Sequence, residues 1–237
     1  MKTELFTYEQ VKAAMTAKEY NFYDGEGNVN LIGVRTKNKI ADNFDDYLIV
    51  AMEFQGKPTV FTYKDFTTDP GIYYLKTKLL NERGCAILKP GQYPSVWMIG
   101  KHFSYEALIQ IGGPISVYRD SDRDNELDFD ESKVETGFFG INFHHGYDSK
   151  NVNNNSAGCQ VFKLIKDQRE VLSLCKQQPK KYGNKFTYTL LLEEDLMINK
   201  IIDLENSNHI DHGQTEKETI QRDSSGHIPE GESTETT

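Results

Sequence analysis

Residues 138–146 read Phe138-Phe139-Gly140-Ile141-Asn142-Phe143-His144-His145-Gly146, and an asparagine-rich polar loop then leads to Ser156-Ala157-Gly158-Cys159-Gln160-Val161-Phe162. The first run is aromatic and apolar enough to predict a strand over 138–145. Working outward, short apolar segments recur between glycine and proline turns. Residues 29–34, 46–54, 59–63, 72–75, 86–88, 97–100, 115–118 and 186–192 all read as strands. Asp24-Gly25-Glu26-Gly27-Asn28, Asp69-Pro70-Gly71 and Pro90-Gly91 are turns. Helical spacing occurs twice, over 8–20 (Val11, Ala14, Met15) and over 163–176 (Leu164, Ile165, Val171, Leu172, Cys175). Many short strands and one or two short helices predict a mainly β (α+β) domain, a β-sandwich or closed barrel.

The chain has 237 residues, a hydrophobic content of 37% and a formal net charge of −9. That suits one domain, assigned to residues 1–204. From about Glu205 the sequence turns to Ser, Thr, Glu, Gly and His, which cannot bury enough surface to offset ordering entropy. Residues 205–237 are therefore expected to form a disordered acidic tail, with His209, His212 and His227 in it. The acidic balance argues against nucleic-acid binding and against an anionic membrane surface. No stretch approaches the roughly 20 apolar residues of a membrane helix. Met1-Lys2-Thr3-Glu4-Leu5 lacks the plan of a signal peptide. The expectation is synthesis in the cytoplasm, with any role at the wall following release or carriage in a particle.

Three cysteines at wide spacing, Cys85, Cys159 and Cys175, form neither a disulfide framework nor a zinc set. Cys159 differs from the other two because histidines lie one loop upstream. A thiol nucleophile must ionise near neutral pH, and a nearby imidazole promotes that. Gly158 allows close backbone approach to a substrate, and amides near Gly158 and Cys159 are candidate oxyanion donors. Ser156 supports the turn or donates a hydrogen bond. Strand alternation puts His144 and His145 on opposite faces, so one of them faces the thiol. Cys85 and Cys175 read as packing residues, Trp97 and the tyrosines as core or groove, and His102 as a turn residue after Lys101. Asp45-Asp46 closes a strand end.

His145-Gly146, the intervening loop and Ser156-x-Gly158-Cys159 resemble the L,D-transpeptidase catalytic domain over about 25 residues. The chain is also similar, over most of its ordered length, to small cell-wall-lytic proteins of bacteriophages and gut bacteria. Thr68-Asp69-Pro70-Gly71-Ile72-Tyr73-Tyr74-Leu75, Leu88-Lys89-Pro90-Gly91-Gln92-Tyr93, Tyr118-Arg119-Asp120 and Gly137–Asn142 carry that similarity, together with the cysteine run. The resemblance implies an L,D-transpeptidase-like fold and a cysteine acyl-enzyme acting on peptidoglycan stem peptides, with Cys159 as nucleophile and a histidine as base. The His-Gly pair favours His145 as base, and the phage-type run favours His144, which is preferred. Ala157 and Val161 depart from the transpeptidase pattern, so hydrolysis is preferred to exchange.

Asp120-Ser121-Asp122-Arg123-Asp124-Asn125-Glu126-Leu127-Asp128-Phe129-Asp130-Glu131 has the ligand spacing of a calcium loop. Asp120, Asp122, Asp124, Glu126, Asp128 and Glu131 are the candidate ligands of a structural Ca2+, with Asn125 at the usual glycine position. No cofactor is required by the chemistry. The competing readings are a non-catalytic wall-binding or particle-structural module and a calcium-dependent adhesion domain.

Overall fold

The structure is a computed structural model and describes residues 5–196. The expected tail and its three histidines lie outside the described residues. Helix α1 (Tyr8–Ala17) starts at Thr7, whose side chain accepts the Gln10 amide while Gln10 reaches back to the Thr7 amide. This reciprocal capping satisfies two orphan donors at once. Strands β1 (Asn30–Arg35), β2 (Asp46–Phe54) and β3 (Lys57–Thr67) follow, then β4 (Cys85–Leu88), β5 (Gly91–His102), β6 (Tyr105–Gln110), β7 (Ile115–Asp120) and β8 (Glu135–Gly137). β9 (Phe143–His145), β10 (Gln160–Phe162), α2 (Ile165–Lys176) and β11 (Phe186–Leu192) complete the order.

Eight strands close into a barrel in the order β1-β11-β5-β6-β9-β10-β3-β2, and β4-β7-β8 form a separate three-stranded sheet. β1 pairs parallel with β11, and β9 pairs parallel with β10. The mainly β expectation holds, with closure rather than an open sandwich, so the large sheet has no exposed edge. β1 shows why both its faces are apolar. Leu31 enters the main core with Leu48, Phe66, Trp97, Phe143 and Tyr188, whereas Ile32 and Val34 meet Val11, Ala14 and Met15 of α1. Among the described residues no helix is long and apolar enough to cross a membrane.

Three sequence expectations change. Residues 72–75 are not a strand but enter a π-helical turn (Tyr73–Thr77). Gly71 is pressed against Asn153, whose carbonyl would lie 1.9 Å from an added Cβ, and the Ile72 amide binds Asp42. That docking bends the chain inward. Residues 138–142 are not strand either. Gln110 takes the Phe139 and Ile141 amides on its side-chain oxygen, and Trp97 Nε1 donates to the Ile141 carbonyl at 2.8 Å. With the Phe139 and Ile141 amides and the Ile141 carbonyl taken by side chains, residues 138–141 do not extend the strand. His102 is the last residue of β5 rather than a turn residue.

A buried polar network ties the barrel to the small sheet. Arg35 on β1 donates to Thr68 and to the Leu88 carbonyl on β4, and pairs with Asp69 at 2.9 Å. Asp46 accepts the Thr36 and Thr68 amides, closing the ends of β1 and β3.

Candidate active site

Cys159 immediately precedes β10, and His144 is the middle residue of the neighbouring β9. The parallel register sets Val161 beside His144 and Phe162 beside His145. The Gln160 amide binds the Asn142 carbonyl, so Cys159 falls next to Asn142. Cys159 therefore starts two residues below His144 on the adjacent strand. The loop between them is fastened from outside. Asp42 receives the Val152 and Asn153 amides, and the Gly71 amide donates to the Ser156 carbonyl.

Ser156 is fully buried. Its Oγ donates to the Cys159 carbonyl at 2.8 Å and accepts the Gly158 amide at 3.1 Å. It braces the turn. The Gly158 amide is thus spent, and among the described residues the Cys159 amide is the one of the two without a protein acceptor. Gly158 has φ +117, and an added Cβ would sit 2.4 Å from the Ala86 carbonyl oxygen. The backbone it approaches is that of β4.

The half-buried Cys159 Sγ receives the Asn142 amide at 3.5 Å and lies 3.7 Å from the Gly140 carbonyl. Two pockets meet at Cys159 and Ala157. One, of about 200 Å3, is walled by His102, Tyr105, His144, Tyr147 and Tyr74. The other, of about 380 Å3, is walled by Arg119, Phe139, Asn81 and Cys85. Exposed apolar side chains concentrate here: Phe103 and Tyr147 rim the first pocket, Leu80 and Phe138 the second. Clustered exposed apolar groups mark a binding surface more often than isolated ones do.

Of the two candidate bases, His144 lines the pocket with Cys159. Its Nδ1 lies 3.1 Å from the His145 carbonyl oxygen, so Nδ1 carries the proton and Nε2 is left as the acceptor. His145 is turned elsewhere, stacked on Tyr105 at 4.4 Å and edge-on to Tyr147, with its Nδ1 buried and unpartnered. His102, which the sequence sets in a turn after Lys101, also lines this pocket. Its ring lies parallel to His144, 4.6 Å away, and its Nδ1 is 3.2 Å from the Asn142 side-chain nitrogen.

Burial shifts both Cys159 and His144 toward their neutral forms. Burial pushes Cys159 up to about 11, opposed by the Asn142 amide. Burial holds His144 down at about 4 despite its bond to the His145 carbonyl. Both shifts oppose a standing thiolate. Apo contacts of this kind commonly tighten only in the substrate complex.

The acidic loop assembles half of its expected ligands. Carboxylate oxygens of Asp120, Asp122 and Asp128 lie within 4.8 Å of one another. Asp124 instead caps the Glu126 amide, and Glu131 turns away to Lys89 and Tyr118. Glu126 itself pairs by its backbone with Ile40. The left-handed residue is Arg123, not Asn125. Asp120 is buried, which raises it to about 6, with Asp128 and Asp122 adding to the rise. Comparison with protein families, curated proteins and solved structures finds no match to this chain.

Proposed function

We propose that the protein is a cysteine-dependent enzyme of L,D-transpeptidase-like type that cleaves L,D peptide bonds in peptidoglycan stem peptides. The observation that carries this reading is the pocket shared by Cys159 and His144, with the His144 tautomer fixed by the His145 carbonyl. Cys159 Sγ attacks the scissile carbonyl carbon as His144 Nε2 takes the thiol proton. The Cys159 amide stabilises the oxyanion. Collapse expels the amine, which receives the proton from His144, and leaves an acyl-enzyme. Water, deprotonated by the same nitrogen, then releases the acid and restores the thiol. Exchange would replace that water by an amine acceptor. Such an enzyme acts on the wall after release from its site of synthesis or as part of a phage particle.

The test is incubation of purified sacculi with the protein and mass analysis of the fragments. New stem-peptide fragments are expected from the wild type and none from Cys159→Ala. Identical products from both would remove the proposal. A non-catalytic wall-binding or particle-structural module is the second reading, favoured by the burial that pushes the Cys159 thiol up. Sacculus binding without any new fragment would support it. For the acidic loop the proposal is a structural Ca2+ on Asp120, Asp122 and Asp128, whose hard oxygens converge. Thermal melting with calcium and with chelator tests it, and identical curves would exclude it.

A further inference from the structure

Two side-chain contacts of Asn142 together decide the state of His102. Its side-chain oxygen accepts the Gln110 amide at 2.9 Å, which fixes the amide's orientation. Its side-chain NH2 is thereby turned to His102 Nδ1, 3.2 Å away. A nitrogen that faces a donor must offer a lone pair, so Nδ1 is unprotonated and the proton resides on Nε2. Turning the amide over would set an NH2 against the Gln110 N–H. The ring is held from both sides, packed flat on His144 and edge-on to Tyr105 at 5.7 Å. Among the described residues Nε2 has no protein partner, and the ring lines the Cys159 pocket. Burial and the neighbouring His145 also hold His102 below its ordinary pKa, in keeping with a neutral ring.

Resting on the reading of function above, we propose that His102 is a substrate-contacting hydrogen-bond donor, whose Asn142-locked Nε2–H binds the peptide carbonyl oxygen presented to Cys159. The arrangement divides labour between two stacked imidazoles. His144 offers an acceptor nitrogen and moves the proton, while His102 offers a donor. The same Asn142 sends its backbone amide to Cys159 Sγ. One residue therefore orients both the nucleophile and the donor. A preorganised donor of this kind is worth about 100-fold to 1000-fold in rate.

The experiment compares His102→Gln, which keeps a nitrogen donor near the Nε2 position, with His102→Phe, which keeps a ring on His144 and loses the donor. Stem-peptide cleavage is measured as kcat/KM beside wild type and Cys159→Ala. Expected is a loss within about tenfold for Gln and of about 100-fold or more for Phe. Side-chain 15N spectra of the wild type should also show His102 as the neutral Nε2–H form from pH 6 to 8. Wild-type turnover left unimpaired by His102→Phe overturns the donor alone, as does an Nδ1–H or doubly protonated His102 in the spectra. Wild-type protein inert toward stem peptides overturns the functional reading, and the donor with it.

Discussion

Gly158 lies directly against Ala86: a Cβ on Gly158 would meet the Ala86 carbonyl oxygen at 2.4 Å and its carbonyl carbon at 3.2 Å. This contact joins the start of β10, on the barrel, to β4, on the small sheet. The nucleophile is thus set by two sheets at once, with Ser156 closing the turn between them. Gly158→Ala adds both a steric overlap with backbone and a left-handed alanine at φ +117. The expected cost is about 2–4 kcal/mol, read as a lower melting temperature. An unchanged melting temperature would show that the two sheets move apart freely at this point.

Thiol reactivity should separate the cysteines and report the state of the site. Cys85 and Cys175 are both buried and pushed up to about 12. Cys159 opens on two pockets and should label first with a small alkylating reagent. Because burial raises its pKa to about 11, its labelling should climb about tenfold per pH unit from pH 7 to beyond pH 9. A rate that levels off below pH 7 would instead reveal a standing thiolate–imidazolium pair. That outcome would contradict the concerted proton transfer argued above.

The Cys159 and His144 pairing was legible because both residues sit at the ends of one loop in one short stretch. The parallel register of β9 and β10 turns that sequence proximity into a shared pocket. His102 was not legible. It reaches His144 only through the β5–β6 hairpin and the single β6–β9 pairing, Leu108 with Phe143. β6 was itself hidden, because Tyr105-Glu106-Ala107-Leu108-Ile109-Gln110 has little β-branched character and no clean alternation. Phe138 and Phe139 suggested a strand, but the Gln110 side chain claims the amides that a ladder would need. The calcium-loop spacing placed Asp120, Asp122 and Asp128 together. It could not foresee that Tyr118 and Lys89 would draw Glu131 away.

The Asp46–Asp69–Arg35 cluster should give the fold a measurable pH dependence. Asp46 is fully buried, and burial with the adjacent Asp69 carboxylate raises it to about 7, against the partial relief of Arg35. A carboxyl whose pKa is higher folded than unfolded binds its proton more tightly in the native state. Its contribution is complete below about pH 4, the unfolded value, and is lost as pH rises through about 7. Asp46→Asn cannot titrate, so its melting temperature should lack that decline between pH 4 and 7. The variant should also be less stable at pH 4 by about 1–2 kcal/mol, because an NH2 in place of one oxygen opposes either the Thr36 or the Thr68 amide. Wild type and variant falling in parallel over this range would rule out Asp46 as the titrating group.

Phe103 allows stability and function to be opposed at one position. It sits at the turn of the β5–β6 hairpin with φ +54 and 86% of its surface exposed, at the mouth of the Cys159 pocket. A bulky residue in the left-handed region is strained by about 1–3 kcal/mol, and its exposure returns no burial to offset this. Strain kept at a pocket rim fits a side chain retained for its contact with a ligand. Phe103→Gly removes the strain and the ring together. The melting temperature should rise or hold, while KM for stem peptides increases about tenfold with kcat little changed, since uniform binding is lost and the chemistry is not. His102, next in the chain, is the position at which a positional disturbance would show. If kcat falls while KM holds, the hairpin tip acts by placing His102 rather than by touching substrate.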